Sequence, residues 1–283
     1  MTVGISTAFV AEFSADVKHA YQSMGSGLLQ RVRLKTGVKG STFRFHKMGK
    51  GLATARLTQS DVVPMNVGNS NATATLSDWV APEYSDVFDL EKISYDERQE
   101  LVKVVAGAIT RRAEQLVLTA LDAGASSTQV IENFGGTASG LTVAKLRRAK
   151  KLMDAAGVPK EDRTFCHDAT GLEQLLGATA VTSADYNNVK ALVHGDVDTF
   201  LGFKFICFED RDEGGIVTTA NVTKNFAFHK DAIGLAVGLD MRTEINYVPE
   251  KTSWLINGLY SAGAVGIDNT GIYEVLTNDD YVL

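Results

Sequence analysis

Residues 94–122, SYDERQELVKVVAGAITRRAEQLVLTALD, decide how the rest of the chain has to be built. Ser94 followed three residues later by Glu97 fits a capping box, Asp96, Glu97 and Glu100 put negative charge on the positive end of a helix dipole, and Gly124 follows the last turn. Apolar residues at Leu101, Val102, Val105, Ile109, Leu116, Val117 and Leu121 recur at three- and four-residue spacing. They predict one broad buried stripe along a helix of roughly 40 Å. Since the average helix runs to about 11 residues, a rod of this length needs an extended cover, either a sheet of the same chain or another subunit.

Working outward, the 283 residues are 45% hydrophobic and 22% charged, enough to bury a large core in one big domain or two intimately joined ones. No apolar run approaches the roughly 18 residues of a membrane span, and MTVGISTAFVAEF lacks the basic start and long apolar stretch of a secretory signal. The expectation is a protein made in the cytoplasm, with no membrane partner. Cys166 and Cys207 are too few for a disulfide framework or a four-ligand zinc site. The formal charge of -6 counts against a dedicated nucleic-acid coat, because phosphate binding rests on an excess of Lys and Arg.

The distribution of charge says more than its sum. From Lys18 to Ser60 the chain has no acidic residue, whereas Lys18, Arg31, Arg33, Lys35, Lys39, Arg44, Lys47, Lys50 and Arg56 are basic. Within this island Thr42, Arg44 and His46 alternate with Phe43 and Phe45, residues 47–51 read as a turn, and LATARL resumes an alternating run to Leu57. The pattern predicts a two-stranded ribbon that projects and rests on a neighbour, because an isolated hairpin is only marginally stable. Residues 61–100 invert the sign, with Asp61, Asp78, Glu83, Asp86, Asp89, Glu91, Asp96, Glu97 and Glu100 against Lys92 and Arg98. A head-to-tail contact between copies would join Arg44, Lys47, Lys50 and Arg56 of one to Asp78, Glu83, Asp86 and Asp89 of the next. The plainer alternative is two ordinary solvated faces.

Ahead of the island, FVAEFSADVKHAYQ carries Phe9, Val10, Phe13, Val17 and Tyr21 at helical spacing, a short amphipathic arm broken by Met24-Gly25-Ser26-Gly27. Beyond the long helix, LTVAKLRRAKKLMDAAGVP predicts a second helix with Val143, Leu146, Ala149, Leu152 and Met153 on one face. A strand at Arg163–Cys166, a helix near Gly171–Leu176 and the strand GFKFICFED suggest a compact α/β unit to about residue 238. From Asp240 the pattern turns strand-rich, Met241, Thr243, Ile245 and Tyr247 alternating with Arg242, Glu244 and Asn246.

Motifs for chemistry fail one by one. Gly49-Lys50 is followed by Gly51 where a phosphate-binding loop needs Ser or Thr. Cys166, His167 and Asp168 are consecutive strand residues whose side chains point to alternate faces. DRDEGG opens like a calcium loop but has Gly214 and Asn221 where carboxylates belong. His19, His46, His194 and His229 offer no metal pair. The reading is of no catalytic residues, no cofactor and no metal; an α/β hydrolase or nucleotide enzyme is the disfavoured alternative.

The arm, the basic ribbon, the segment PMNVGNSNATATLSDWVAPEYSDVFD and the helix DERQELVKVVAGAITRRAEQLVLTAL, in that order, resemble major capsid proteins of tailed bacteriophages, which have the fold named after phage Hong Kong ninety-seven. The similarity is strongest over residues 30–125 and returns in character in YVPEKTSWLINGLYSAGAVGIDNTGIYEV. It implies an α+β fold with an N-terminal arm at 1–32, an extended loop at 33–60, a peripheral domain at 61–129 and 241–283 holding a spine helix at 95–122, and an axial domain at 130–240. It further implies self-assembly into hexamers and pentamers of an icosahedral head enclosing double-stranded DNA bound without sequence specificity. A virion component of this kind is assembled in the host cytoplasm, with a portal and decoration proteins as partners and, as the chain starts directly with the arm, scaffolding expected either as a separate protein or as a segment removed from a longer precursor. An encapsulin-like compartment shell enclosing protein cargo is the alternative. Some family members crosslink a loop lysine to a neighbour, and Lys47 and Lys50 lie in that region, with no acceptor that this sequence identifies.

Overall fold

A computed structural model of the chain describes Gly25 and residues 27–90, 96–136, 138–177, 199–208, 213, 215–216 and 218–281, with backbone alone at Asp89 and Leu90. In chain order the elements are strands β1 (Arg33–Lys35), β2 (Thr42–Met48), β3 (Asn69–Thr75) and β4 (Ser77–Asp86), helices α1 (Val87–Leu90), α2 (Glu97–Gly124) and α3 (Val143–Ala155), strand β5 (Arg163–Asp168), helix α4 (Ala169–Gly177) and strands β6 (Thr199–Phe200), β7 (Phe203–Phe208), β8 (Thr218–Thr219), β9 (Val222–His229), β10 (Ile233–Val248), β11 (Ser253–Gly266) and β12 (Ile272–Asn278). This is the α+β class that the sequence predicts.

The long helix is the axis. Its first turn is capped by Asp96, whose carboxylate accepts from the Arg98 N–H at 3.2 Å; Ser94, the cap expected from the sequence, lies outside the described residues. Val105, Ile109, Val117 and Leu121 of the expected stripe are buried, while Leu101, Val102 and Leu116 are part-covered. Two sheets divide the helix between them. A four-stranded sheet in the order β1-β10-β11-β4 lies along its length, and a six-stranded sheet, β12-β9-β5-β7-β6 with β8 paired to β9, meets its C-terminal half. One continuous core therefore joins Ile109, Leu118 and Leu121 to Leu235, Val237 and Tyr260 of the first sheet and to Cys166, Phe226 and Phe228 of the second.

The opposite face of the six-stranded sheet is covered by α3 and α4, with Leu146, Ala149, Met153, Phe165, Leu175, Phe203 and Val275 in the second core. Every residue of β5 is consequently buried. Cys166 points toward α2 and its thiol pKa is pushed far up by burial and then by the charge of Glu114. His167 points the other way, packed against Phe165 and Phe205 with its Nδ1 2.8 Å from the Asp168 carbonyl.

Three expectations change. The ribbon's second strand is β3, paired in the register Thr42↔Thr75 to Met48↔Asn69, and LATARL belongs to a strandless excursion over residues 49–68. The last strand, β12, pairs antiparallel with β9 in the six-stranded sheet, although its sequence neighbours β10 and β11 form the other sheet. Met241, Ile245 and Tyr247 remain exposed although they alternate along β10 as the sequence predicts, and β10 slips its register with β11 between Val237 and Arg242. Of DRDEGG only Glu213 and Gly215 are among the described residues.

Candidate functional site

Two surfaces bring together the residues that sequence reasoning singled out. The first is the ribbon. Alternation along β2 turns Phe43, Phe45 and Lys47 toward the body and leaves Thr42, Arg44, His46 and Met48 exposed. Phe45 is buried among Ala74, Ala236 and Ile267, edge-on to Phe43 at 4.9 Å between ring centroids. Its ring occupies space that any side chain at Gly234 would need, since a Cβ there would lie 2.6 Å from it.

Past Phe45 the ribbon is held by charge. Lys47 Nζ is 2.8 Å from Asp268 Oδ1, in the turn linking β11 to β12, and the same carboxylate accepts from Thr270 N–H and Oγ1–H. Partial burial raises the Asp268 pKa, and the bonds from Lys47 and Thr270 more than offset it, so the carboxyl titrates below its ordinary range. Lys50 Nζ donates at 3.1 Å to the carbonyl of Ala156, the C-cap of α3. A cation there answers both an orphan carbonyl and the negative end of the helix dipole. So Lys47 and Lys50, expected to reach a neighbouring copy, are engaged with their own body, and the ribbon lies on that body as far as residue 50. The expectation of a ribbon projecting along its whole length is corrected to one whose outer loop alone projects. Arg44 is exposed on the outer side, and Arg56 Nε donates at 3.1 Å to the Ser60 carbonyl within that loop.

The second surface is β4, the edge strand of the four-stranded sheet. Odd-numbered residues face α2: Trp79 lies under the Arg112 guanidinium at 4.4 Å, and Ser85 Oγ donates at 2.6 Å to Glu97 Oε2. Even-numbered residues, Asp78, Val80, Pro82, Tyr84 and Asp86, face the other way. Val80 is 62% exposed, and among the described residues no helix or sheet lies across this face, which is touched only near its ends, by Lys251 Nζ 4.0 Å over the Tyr84 ring and by the ribbon root beside Asp78 and Val80. Of the expected acidic set, then, Asp78 and Asp86 share the uncovered face, Glu83 is exposed on the α2 side, and the Asp89 side chain lies outside what is described. Asp86 Oδ1 accepts from the Phe88 N–H at 2.8 Å, and Glu83 Oε1 from the Tyr84 N–H at 3.2 Å. Among the described residues no ion pair within the chain joins the basic set to the acidic one.

Charge reading missed the apolar part of both surfaces. Leu52, Leu57, Val62, Val63 and Met65 are exposed along residues 51–67, as Val80, Tyr84 and Phe88 are along β4 and α1. The alternation in DWVAPEYSDVFD was the available signal for the second group; nothing in residues 51–67 separates an exposed leucine from a core one. Chemistry finds no comparable assembly. His167 and Asp168 are buried, and no group of three or more His, Cys, Asp or Glu among the described residues could hold a metal ion. No described helix is long and apolar enough to cross a membrane.

Comparison with solved structures finds the same architecture in phage heads. The capsid of cyanophage P-SCSP1u superposes with a TM-score of 0.76 at 16% identity, over 98% of this chain and 95% of that one. The head of Helicobacter pylori bacteriophage KHP40 gives 0.77 at 12% identity over 95% of each chain, and the capsid of Ralstonia phage GP4 gives 0.68 at 11% over 98% of each. No curated protein matches the sequence. Residues 5–278 match the family model described as phage capsid protein, nearly the whole chain, and the chain belongs to the phage capsid protein family.

Proposed function

We propose that copies of this phage capsid protein, as the major structural subunit of a head, tile an icosahedral shell as hexamers and pentamers around double-stranded DNA. The observation that carries this reading is the pairing, on one chain, of an uncovered sheet face with a projecting loop of exposed aliphatic residues. Large apolar surface left open in water marks a contact site, and a surface of one shape complementary to a different surface of the same molecule generates rings or lattices. In this reading β4 with Asp78, Glu83 and Asp86, together with Asp89 of α1, receives the outer loop of the next copy, with Arg44 and Arg56 as the cations still turned outward. Lys47 and Lys50 set the direction in which the loop leaves.

The proposed division keeps an arm at 1–32, but the extended loop becomes the ribbon of β2 and β3 with the excursion over residues 49–68 between them. The peripheral domain is the long helix with the four-stranded sheet, and the axial domain is the six-stranded sheet with α3 and α4, to which β12 contributes although it lies within 241–283. A separate scaffolding protein, a portal and decoration proteins would complete the particle, assembled in the host cytoplasm. The test is negative-stain microscopy of the purified chain at high concentration. Rings, tubes or shells are expected, and a strictly monomeric chain would sink the proposal. Nuclease-protected DNA in purified particles supports a genome shell; protein cargo without DNA would support a compartment instead.

A further inference from the structure

The projecting loop contains a preformed knob. Ser60 donates to the Leu57 carbonyl twice, from its N–H at 3.2 Å and its Oγ at 2.8 Å, and Arg56 Nε donates to the Ser60 carbonyl at 3.1 Å. Gln59 takes a φ of 64°, which lets the chain close the turn. Leu57 stands on this turn 78% exposed. A leucine held out on a hydrogen-bonded turn loses little further freedom on binding.

The molecule also contains a hole of suitable character. At the root of the ribbon, β10 slips its register with β11 between Val237 and Arg242, and beside this irregularity lies an open cleft of about 420 Å³. Its walls include Val38, Leu76, Val80, Leu239 and Leu259, and Asp78 stands in the lining. The root is fixed by Val38 N–H to the Val237 carbonyl at 3.0 Å and Leu76 N–H to the Ser41 carbonyl at 2.9 Å. Gly238 keeps the wall thin, since a Cβ there would come within 2.6 Å of Leu76 Cδ2.

Knob and cleft of one chain do not meet, since Leu57 takes no part in the cleft's lining. The cavity lies at the Thr42 end of β2, and Leu57 lies past the other end, beyond the Gly49 N–H to Gly68 carbonyl bond that closes the ribbon. The intervening strand alone spans roughly 20 Å at about 3.3 Å per residue. Resting on the tiling reading, we propose that Leu57 of one copy seats in the ribbon-root cavity of a second copy, with Arg56 beside Asp78. The guanidinium has N–H donors left after its bond to Ser60, and an ion pair at the rim fixes register.

The test uses two variants, Leu57→Cys and Leu239→Cys, each also carrying Cys207→Ser, co-assembled and then oxidised. A covalent dimer formed in mixed particles and in neither variant alone is the expected result. Particles without that dimer overturn the cavity contact and leave tiling intact; an unaltered chain that never assembles overturns both. Leu57→Asp decides the matter if the cysteine variants fail to assemble. Its site is solvent-exposed, so subunit circular dichroism stays the same while particle yield falls roughly tenfold or more. An unchanged yield overturns the contact.

Discussion

Strands β5 and β4 belong to the two sheets of one chain and are treated in opposite ways. All six residues of β5 are buried, between α2 on one face and α3 with α4 on the other. In β4 only Ser85 is buried, because α2 covers one face and no described helix or sheet lies across the other. Apolar content does not account for this, since β5 carries Arg163, His167 and Asp168 and β4 carries Trp79, Val80 and Tyr84. What differs is the number of layers. The six-stranded sheet is covered on both faces within the subunit, and the four-stranded sheet is covered on one, which is why its open face is the one proposed to meet another copy.

The sharpest way to break that contrast is to injure each sheet at its centre. Phe165→Ala should cost the isolated subunit about 3–5 kcal/mol, as large-to-small core changes do, read as a lower urea midpoint. Val80→Asp should leave subunit stability within about 0.5 kcal/mol and abolish particles in sedimentation. Equal destabilisation by the two would show β4 to be an ordinary core strand.

Next in size is an effect of pH on the complete sheet. Lys145 is fully buried, donating to the carbonyls of Ser139 and Leu276, and burial lowers its pKa from 10.5 to about 8 against the opposing pull of Glu132. Below pH 8 both folded and unfolded chains hold the proton and the cost of a buried cation is fully present. Between about 8 and 10.5 the folded chain releases a proton that the unfolded chain keeps, so stability from this group rises with pH, by up to about 1.4 kcal/mol per unit. Above pH 10 Tyr260, whose pKa burial and then the charge of Asp240 push up to about 12, acts in the opposite sense. Urea midpoints between pH 7.5 and 9.5 should therefore climb more steeply for the unaltered chain than for Lys145→Met.

Smaller effects belong to the ribbon. Gly234→Ala would press a methyl into the Phe45 ring and should cost about 1–3 kcal/mol, accompanied by faster proteolysis within residues 49–68. Lys47→Ala removes a half-exposed pair with Asp268 and should cost at most about 1 kcal/mol, a difference that shrinks in high salt. A larger loss there would mean that the ribbon depends on its ionic hold more than on Phe45.

The long helix was legible because a 3.6-residue periodicity reports which face is buried, whereas the two-residue alternation located β10 without its buried face, since Met241, Ile245 and Tyr247 stay exposed. The start of α2 was less so, because Ser94 and Asp96 are both good capping residues and spacing alone does not choose between them. The ribbon's second strand was misplaced because LATARL alternates convincingly, while NSNATAT offers only the small Ala72 and Ala74 against Phe45. A connection as long as residues 49–68 also runs against the short loops that join most hairpins. Lys145 lies in a run, KLRRAKK, that reads as a solvated face, and the carbonyl of Leu276 that accepts its hydrogen bond is 131 residues away. The charge blocks located both candidate surfaces but not which cations are used within the chain, since that depends on Asp268 and on the end of α3.

Strand β4 carries Pro82 together with Asp78, Glu83 and Asp86 along an unpaired border, the residue types with which natural sheets discourage indiscriminate strand addition. A polypeptide accumulated to high concentration in one cell, with an open row of peptide groups on every copy, would otherwise be at risk of growing into fibrils. A guarded border of this kind turns association away from backbone templating, which has no natural end, and toward shape and side-chain chemistry, which can stop at a closed particle.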